Sequence, residues 1–117
     1  MKPLRIRLSR KRGWRLPPNT VVVTRPGPWG NMYQVRFDAR IRLWCVEDTI
    51  EDGQWGAYET KRDAAERATS LYRQHIRSVE PWRAAQARAE LRGKNLACTC
   101  GLDEPCHADV LLEIANP

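Results

Sequence analysis

The sequence predicts an α/β fold: a single small domain over residues 1–117, with a mixed sheet, a partly parallel core and about three helices. Three observations predict it. The β-branched run Thr20-Val21-Val22-Val23-Thr24 and the apolar run Asn95-Leu96-Ala97-Cys98 are separated by two helical patterns, the kind of crossover that lays two strands parallel. A chain of 117 residues can bury one core but not two. Hydrophobic residues make up 42% and charged residues 29%, the balance of a globular chain rather than a disordered one.

In chain order, Leu4–Leu8 alternates apolar and basic residues and predicts a strand with one wet face. Ser9–Asn19 is loop-like, and residues 1–19 form a basic N-terminal strand and arm. Thr20–Thr24 is apolar on both faces and predicts a central strand. Arg25-Pro26-Gly27-Pro28-Trp29-Gly30-Asn31 follows, a loop whose prolines and glycines forbid regular structure. Met32–Phe37 and Ile41–Val46 predict two more strands joined by Asp38-Ala39-Arg40, with Cys45 on an apolar face. Glu47–Gly56 reads as a polar turn region. Thr60 caps a helix whose stripe of Ala64, Ala68, Leu71, Tyr72, His75, Ile76 and Val79 faces the core, which makes His75 a packed histidine rather than a ligand. Pro81 opens a second helix to Leu91, Gly93 stops it, and the strand Asn95–Cys98 begins. The last helix, through Ala108, Val110, Leu111, Leu112, Ile114 and Ala115, is apolar nearly all round and belongs inside the fold.

The net charge of +6 is concentrated: nine of the 20 basic residues, and none of the 14 acidic ones, lie in residues 1–37. Such asymmetry favours an anionic partner, a nucleotide or nucleic acid, or an acidic surface on a host protein. No run approaches the ~18 apolar residues that a membrane span requires. The basic N-terminus lacks the apolar stretch of a signal peptide. The sequence therefore predicts a cytoplasmic protein, in which four cysteines serve as thiols or metal ligands rather than disulfides.

Three of those cysteines and one of the two histidines fall within ten residues, Cys98, Cys100, Cys106 and His107. Three chemistries fit them. The four residues have the number and type of ligands for tetrahedral zinc, although the spacing lacks a C-x2-C knuckle. Alternatively one of the cysteines Cys98, Cys100 and Cys106, or His107, supplies a catalytic nucleophile or acid/base; Cys106 and His107 lie at a helix start, whose N-terminus lowers a thiol's pKa. In the third reading they are small buried groups around a helix start. If the strands Thr20–Thr24 and Asn95–Cys98 are parallel, the loops after them share one rim, where open α/β sheets bind ligands. Arg25 is then the phosphate clamp, Trp29 the surface on which a base stacks, and Asn31 the amide reader. The basic, aromatic-containing segment around Trp14 is a further candidate for nucleic-acid contact.

The motifs GKNLACTC and PCHADVLLEIAN within 93–116, RPGPWGN at 25–31, KRGWRLPPNTVVV at 11–23 and LYRQHI at 71–76 together resemble the domain family of unknown function 4326, found in bacteriophages and actinobacterial genomes. Family members carry Trp where this chain has Thr99, and Pro-Phe where it has Met32-Tyr33. The resemblance implies a phage-type accessory protein, acting in the host cytoplasm if phage-encoded, and implies no activity. The residues leave two functional readings open. In one, a rim site binds a nucleotide or nucleic acid, with or without catalysis. In the other, a zinc-stabilised or metal-free protein contacts nucleic acid or a host protein and catalyses nothing.

Overall fold

The computed structural model describes residues 2–117; Met1, part of the basic N-terminal segment, lies outside the described residues. Among the described residues, six strands form two three-stranded sheets. The first is wholly parallel in the order β1 (Arg5–Arg7), β6 (Asn95–Cys98), β2 (Thr20–Val22). The second is an antiparallel meander of β3 (Tyr33–Asp38), β4 (Leu43–Asp48) and β5 (Gln54–Tyr58). Helices α1 (Lys61–Ser78), α2 (Trp82–Leu91) and α3 (His107–Ala115) complete the chain. The α/β class, the partly parallel core and the three helices are as the sequence predicts, with the parallel and antiparallel strands divided between two sheets.

The expected parallel pairing of the two apolar runs is present, Val21 opposite Leu96 and Val22 opposite Ala97. The expectation that Thr20–Thr24 is the central strand is corrected. β6 holds the centre: Leu96 and Ala97 are fully buried, while Val22 on β2 is 44% exposed at the sheet's edge. A second correction concerns Glu47–Gly56. Its first two residues continue β4, and its last three begin β5, an edge strand exposed along nearly its whole length. Such a strand offers no alternation of apolar and polar residues by which to recognise it.

Helix α1 packs against β3, β4, β5 and α3, so it joins the two sheets around one core. The Thr60 hydroxyl accepts the Asp63 amide at 3.1 Å, the N-cap that the sequence signals. Gly93 ends the turn after α2 at φ +76°, a conformation that glycine adopts without strain. Cys45 is 1% exposed, a small core residue as expected. His75 is half-buried, and its Nε2 lies 2.6 Å from a Glu80 carboxylate oxygen.

The hydrogen bond from Arg83 to Glu80, and then that from His75, holds the Glu80 carboxyl below its ordinary value against a counteracting desolvation. A depressed folded-state value contributes stability above the unfolded carboxylate pKa of about 4.3, and that stability is lost as pH falls through the folded value. Glu80→Gln is therefore expected to reduce stability at neutral pH by about 1 kcal/mol, and the gap from the wild type to close as pH falls through the folded value. Urea midpoints measured across that range check it; a gap between the two proteins that is constant with pH refutes it.

Candidate functional site

The parallel sheet ends where the two unusual loops begin. On one side of β6, the Leu8 amide donates to the Cys98 carbonyl at 2.9 Å; on the other, the Val23 amide donates to the Ala97 carbonyl at 2.9 Å. The β1 side thus follows β6 to its last residue and the β2 side to the one before it, and the loops after β2 and β6 leave the same edge. They are tied together there. His107 Nε2 lies 2.7 Å from the Val23 carbonyl, which can only accept, so this nitrogen carries the proton and Nδ1 is bare in the neutral ring. Tyr72 on α1 braces both loops: its hydroxyl donates to the Trp29 carbonyl at 2.9 Å, and its ring meets the His107 imidazole edge-on at 5.3 Å. Burial pushes the Tyr72 hydroxyl's pKa up, so it stays a proton donor.

Between this edge, the antiparallel sheet and α1 lies a cleft of about 470 Å³. Arg25, Asn31, Cys98, Cys100, Cys106 and His107 all line it. The sequence-predicted rim therefore brings six of its seven candidates together. The seventh, Trp29, is 5% exposed and belongs to the hydrophobic core, so its expected role as a stacking surface is corrected. The Arg83 guanidinium sits 5.7 Å from the centre of the Trp29 ring, and Arg83 Nη1 donates to the Pro28 carbonyl at 2.7 Å. Asn31 reaches the cleft with its amide already engaged: Nδ2 donates to the Ala68 carbonyl at 3.2 Å, and Oδ1 accepts the Tyr33 amide at 2.8 Å. These bonds fix the loop to α1.

The turn that presents Arg25 depends on Gly30. A Cβ there would stand 2.6 Å from Arg25 Cγ and 2.8 Å from its Cα, closer than real contacts allow, and the Arg25 backbone cannot give way as a flexible side-chain tip can. Gly30→Ala is expected to cost about 1–3 kcal/mol, the usual cost of overpacking, and to displace Arg25. A denaturation midpoint unchanged from wild type would show that the turn adjusts freely.

Arg5, Arg7 and Lys61 escaped the sequence reading as site residues. Arg5 is 8% exposed in its side chain; Nη1 donates to the Glu104 carbonyl at 2.8 Å, and Nη2 to the Gly101 carbonyl at 3.0 Å and to that of Leu102. Asp109 on α3 lies 3.4 Å from the same guanidinium. These charge-assisted bonds fold the cysteine loop around a cation supplied from β1. Arg7 lines the cleft further along the same strand, and Lys61 lines it from the start of α1. The Arg5-Ile6-Arg7 alternation does place the two arginines on one face, but which edge of a sheet β1 occupies is not a local property.

The sulfur atoms of Cys98, Cys100 and Cys106 all lie within 4.8 Å of one another, with Cys98 and Cys100 at 3.6 Å. Hydrogen bonding from Cys100, then from Cys106, pulls the Cys98 thiol far below its ordinary pKa in spite of burial. Cys100 is pushed up, by its bond with Cys106, then by that with Cys98, and by desolvation. The Cys100 bond favours the Cys106 thiolate, yet the bond to Cys98 and burial leave Cys106 raised on balance. The cluster thus releases one proton readily and resists releasing the others. Three thiolates together require a cation, and the three sulfurs are close enough to hold a metal ion. His107 stands just outside this group, its Nδ1 3.7 Å from the Cys106 sulfur.

No helix among the described residues is long and apolar enough to cross a membrane. Comparison with known proteins finds no similar curated protein and no similar solved structure. The family model described as "Domain of unknown function (DUF4326)" matches residues 6–117, which include both loops of the cleft, and the chain belongs to that family.

Proposed function

We propose that the protein binds a phosphorylated ligand, a nucleotide or a nucleic-acid segment, in the cleft at the carboxyl edge of the parallel sheet. The observation that carries this reading is the convergence of three cations from three separate stretches of chain. Arg7 from β1, Arg25 from the loop after β2 and Lys61 from α1 line a cleft whose one acidic residue is Glu104. Among the described residues none of the three cations is paired with a carboxylate. Unpaired cations around a concave surface focus an anion. The volume is in the ordinary range for small-ligand pockets, about 300–1,000 Å³, which suits a nucleotide or the end of a single strand.

The cysteine cluster is a zinc site in this reading. Zinc–sulfur bonds of about 2.3 Å place the sulfurs of a tetrahedral centre nearly 3.8 Å apart. The 3.6 Å between Cys98 and Cys100 already matches that edge. Soft thiolates select zinc over magnesium or calcium, and free thiols of this kind persist in the cytoplasm.

Calorimetric titration with each of the four common nucleoside monophosphates, and with a short single-stranded oligonucleotide, tests the binding reading. Arg25→Ala is expected to weaken binding at least tenfold, the loss of one charge-assisted contact of about 1.5–3 kcal/mol. Lost phosphate contacts also flatten the dependence of log affinity on log salt by about 0.7–0.9 per contact. No binding by any of these ligands, or an Arg25→Ala variant equal to wild type, overturns the proposal. The exposed residues Arg10, Lys11 and Arg12 favour a second contact outside the cleft. If a strand extends to them, their triple alanine variant weakens oligonucleotide binding and leaves mononucleotide binding unchanged.

A further inference from the structure

A zinc centre built from Cys98, Cys100 and Cys106 leaves one tetrahedral corner without a protein ligand. His107 is the obvious candidate for that corner, and its geometry argues against it. Its Nε2 is held by the Val23 carbonyl with the ring edge-on against Tyr72, and although the bare Nδ1 lies 3.7 Å from the Cys106 sulfur, it falls outside the group of three sulfurs, all within 4.8 Å of one another, that could share a centre. All three cysteines line the cleft, and Cys100 is only half-buried, so the empty corner opens onto the space the ligand occupies.

Resting on the zinc reading above, we propose that the cysteine cluster is an open metal site whose fourth position takes a neutral donor from the cleft: water at rest, and a heteroaromatic ring nitrogen of the bound ligand. Structural zinc sites are closed by four protein ligands, whereas sites that meet small molecules keep one position free. Charge decides which donor suits that position. Zinc with three thiolates carries a net charge of −1, so a phosphate oxygen is repelled there and drawn instead to Arg7 and Arg25, which line the same cleft. The two features divide the ligand between them, anionic end on the cations and neutral nitrogen on the metal. A nucleotide has both ends, and inorganic phosphate has only one. In this arrangement His107 is a positioning residue that ties α3 to β2.

Cobalt(II) substitution with imidazole as the probe tests the proposal without assuming any activity. Cobalt reports its donors through thiolate charge-transfer and visible ligand-field bands. The wild-type protein is expected to bind one cobalt, and imidazole to shift the visible bands saturably, while inorganic phosphate leaves them unmoved. His107→Gln retains an N–H donor for the Val23 carbonyl and is expected to give the wild-type spectrum and the same imidazole response. Bands that imidazole does not move, or bands that His107→Gln alters in the manner of a lost nitrogen ligand, mean a closed four-ligand site and overturn the inference while leaving the zinc reading intact. Failure to bind cobalt or zinc at all overturns both. Should His107→Gln not fold, the imidazole titration of the wild type alone decides.

Discussion

Cys106→Ser is expected to lower the melting temperature by roughly 10 °C or more and to abolish stoichiometric zinc. Structural zinc contributes on the order of 10 kcal/mol of apparent binding free energy in small peptides. Even a loss of about 3 kcal/mol shifts the midpoint of a domain this size by roughly 10 °C. The substitution is informative because the size of its effect depends on the metal. Cys106 is the N-cap of α3, and its side chain makes no capping hydrogen bond. Serine is among the preferred residues at that position, where its hydroxyl accepts a helix amide and contributes about 1 kcal/mol. In a metal-free protein the change costs no more than about 1–2 kcal/mol, because the cap gained offsets part of the cost of burying a hydroxyl where the thiol is 2% exposed. In a zinc protein it removes one of three sulfur ligands. Chelation of the wild type should reproduce the destabilisation, and the variant should no longer respond to the chelator. A variant that melts at or above the wild-type temperature, from a protein that carries no zinc, refutes the metal centre. The depressed pKa of Cys98 then points to a reactive thiol, which alkylation well below pH 8.5 reveals.

How far the sequence could be read depended on whether the deciding physics was local. The capped helix at Thr60, the Gly93 stop and the all-apolar α3 are stated by residues within a turn or two of each other, and the structure has them. The parallel pairing of β2 and β6 was legible one step further out, from two helices between two apolar runs. With it came the shared rim and six of the seven residues assigned there. What failed was decided over long distances. β6 rather than β2 holds the centre of the sheet because β1, some 90 residues earlier, pairs with its other edge. Arg5 supports the cysteine loop from that same strand. Nothing near Arg5 distinguishes it from the solvated arginines around it until the loop carbonyls arrive.

Trp29 shows the same limit at a single side chain. A tryptophan in a Gly- and Pro-rich loop is either a ligand surface or a plug, and residues 43 and 54 positions away, Tyr72 and Arg83, decide between them. Trp29→Ala is expected to cost about 3–5 kcal/mol, the range for removing a large aromatic from a core. The indole fills the space beneath the loop at 5% exposure, the backbone carbonyl of Trp29 accepts the Tyr72 hydroxyl, and the Arg83 guanidinium lies over the ring. Truncation leaves a cavity bordered by a buried tyrosine and an arginine stripped of its aromatic contact. Trp29→Phe keeps an aromatic of smaller volume and should recover more than half of the loss. Because Trp29 does not line the cleft, the folded Phe variant should bind nucleotide within about threefold of wild type, a difference below 1 kcal/mol. Urea denaturation and calorimetry on the same preparations separate the two effects. If the alanine variant keeps its stability within about 1 kcal/mol and loses its ligand, then Trp29 is a reader of bases. The cleft would then have to extend beneath the loop that Trp29 plugs.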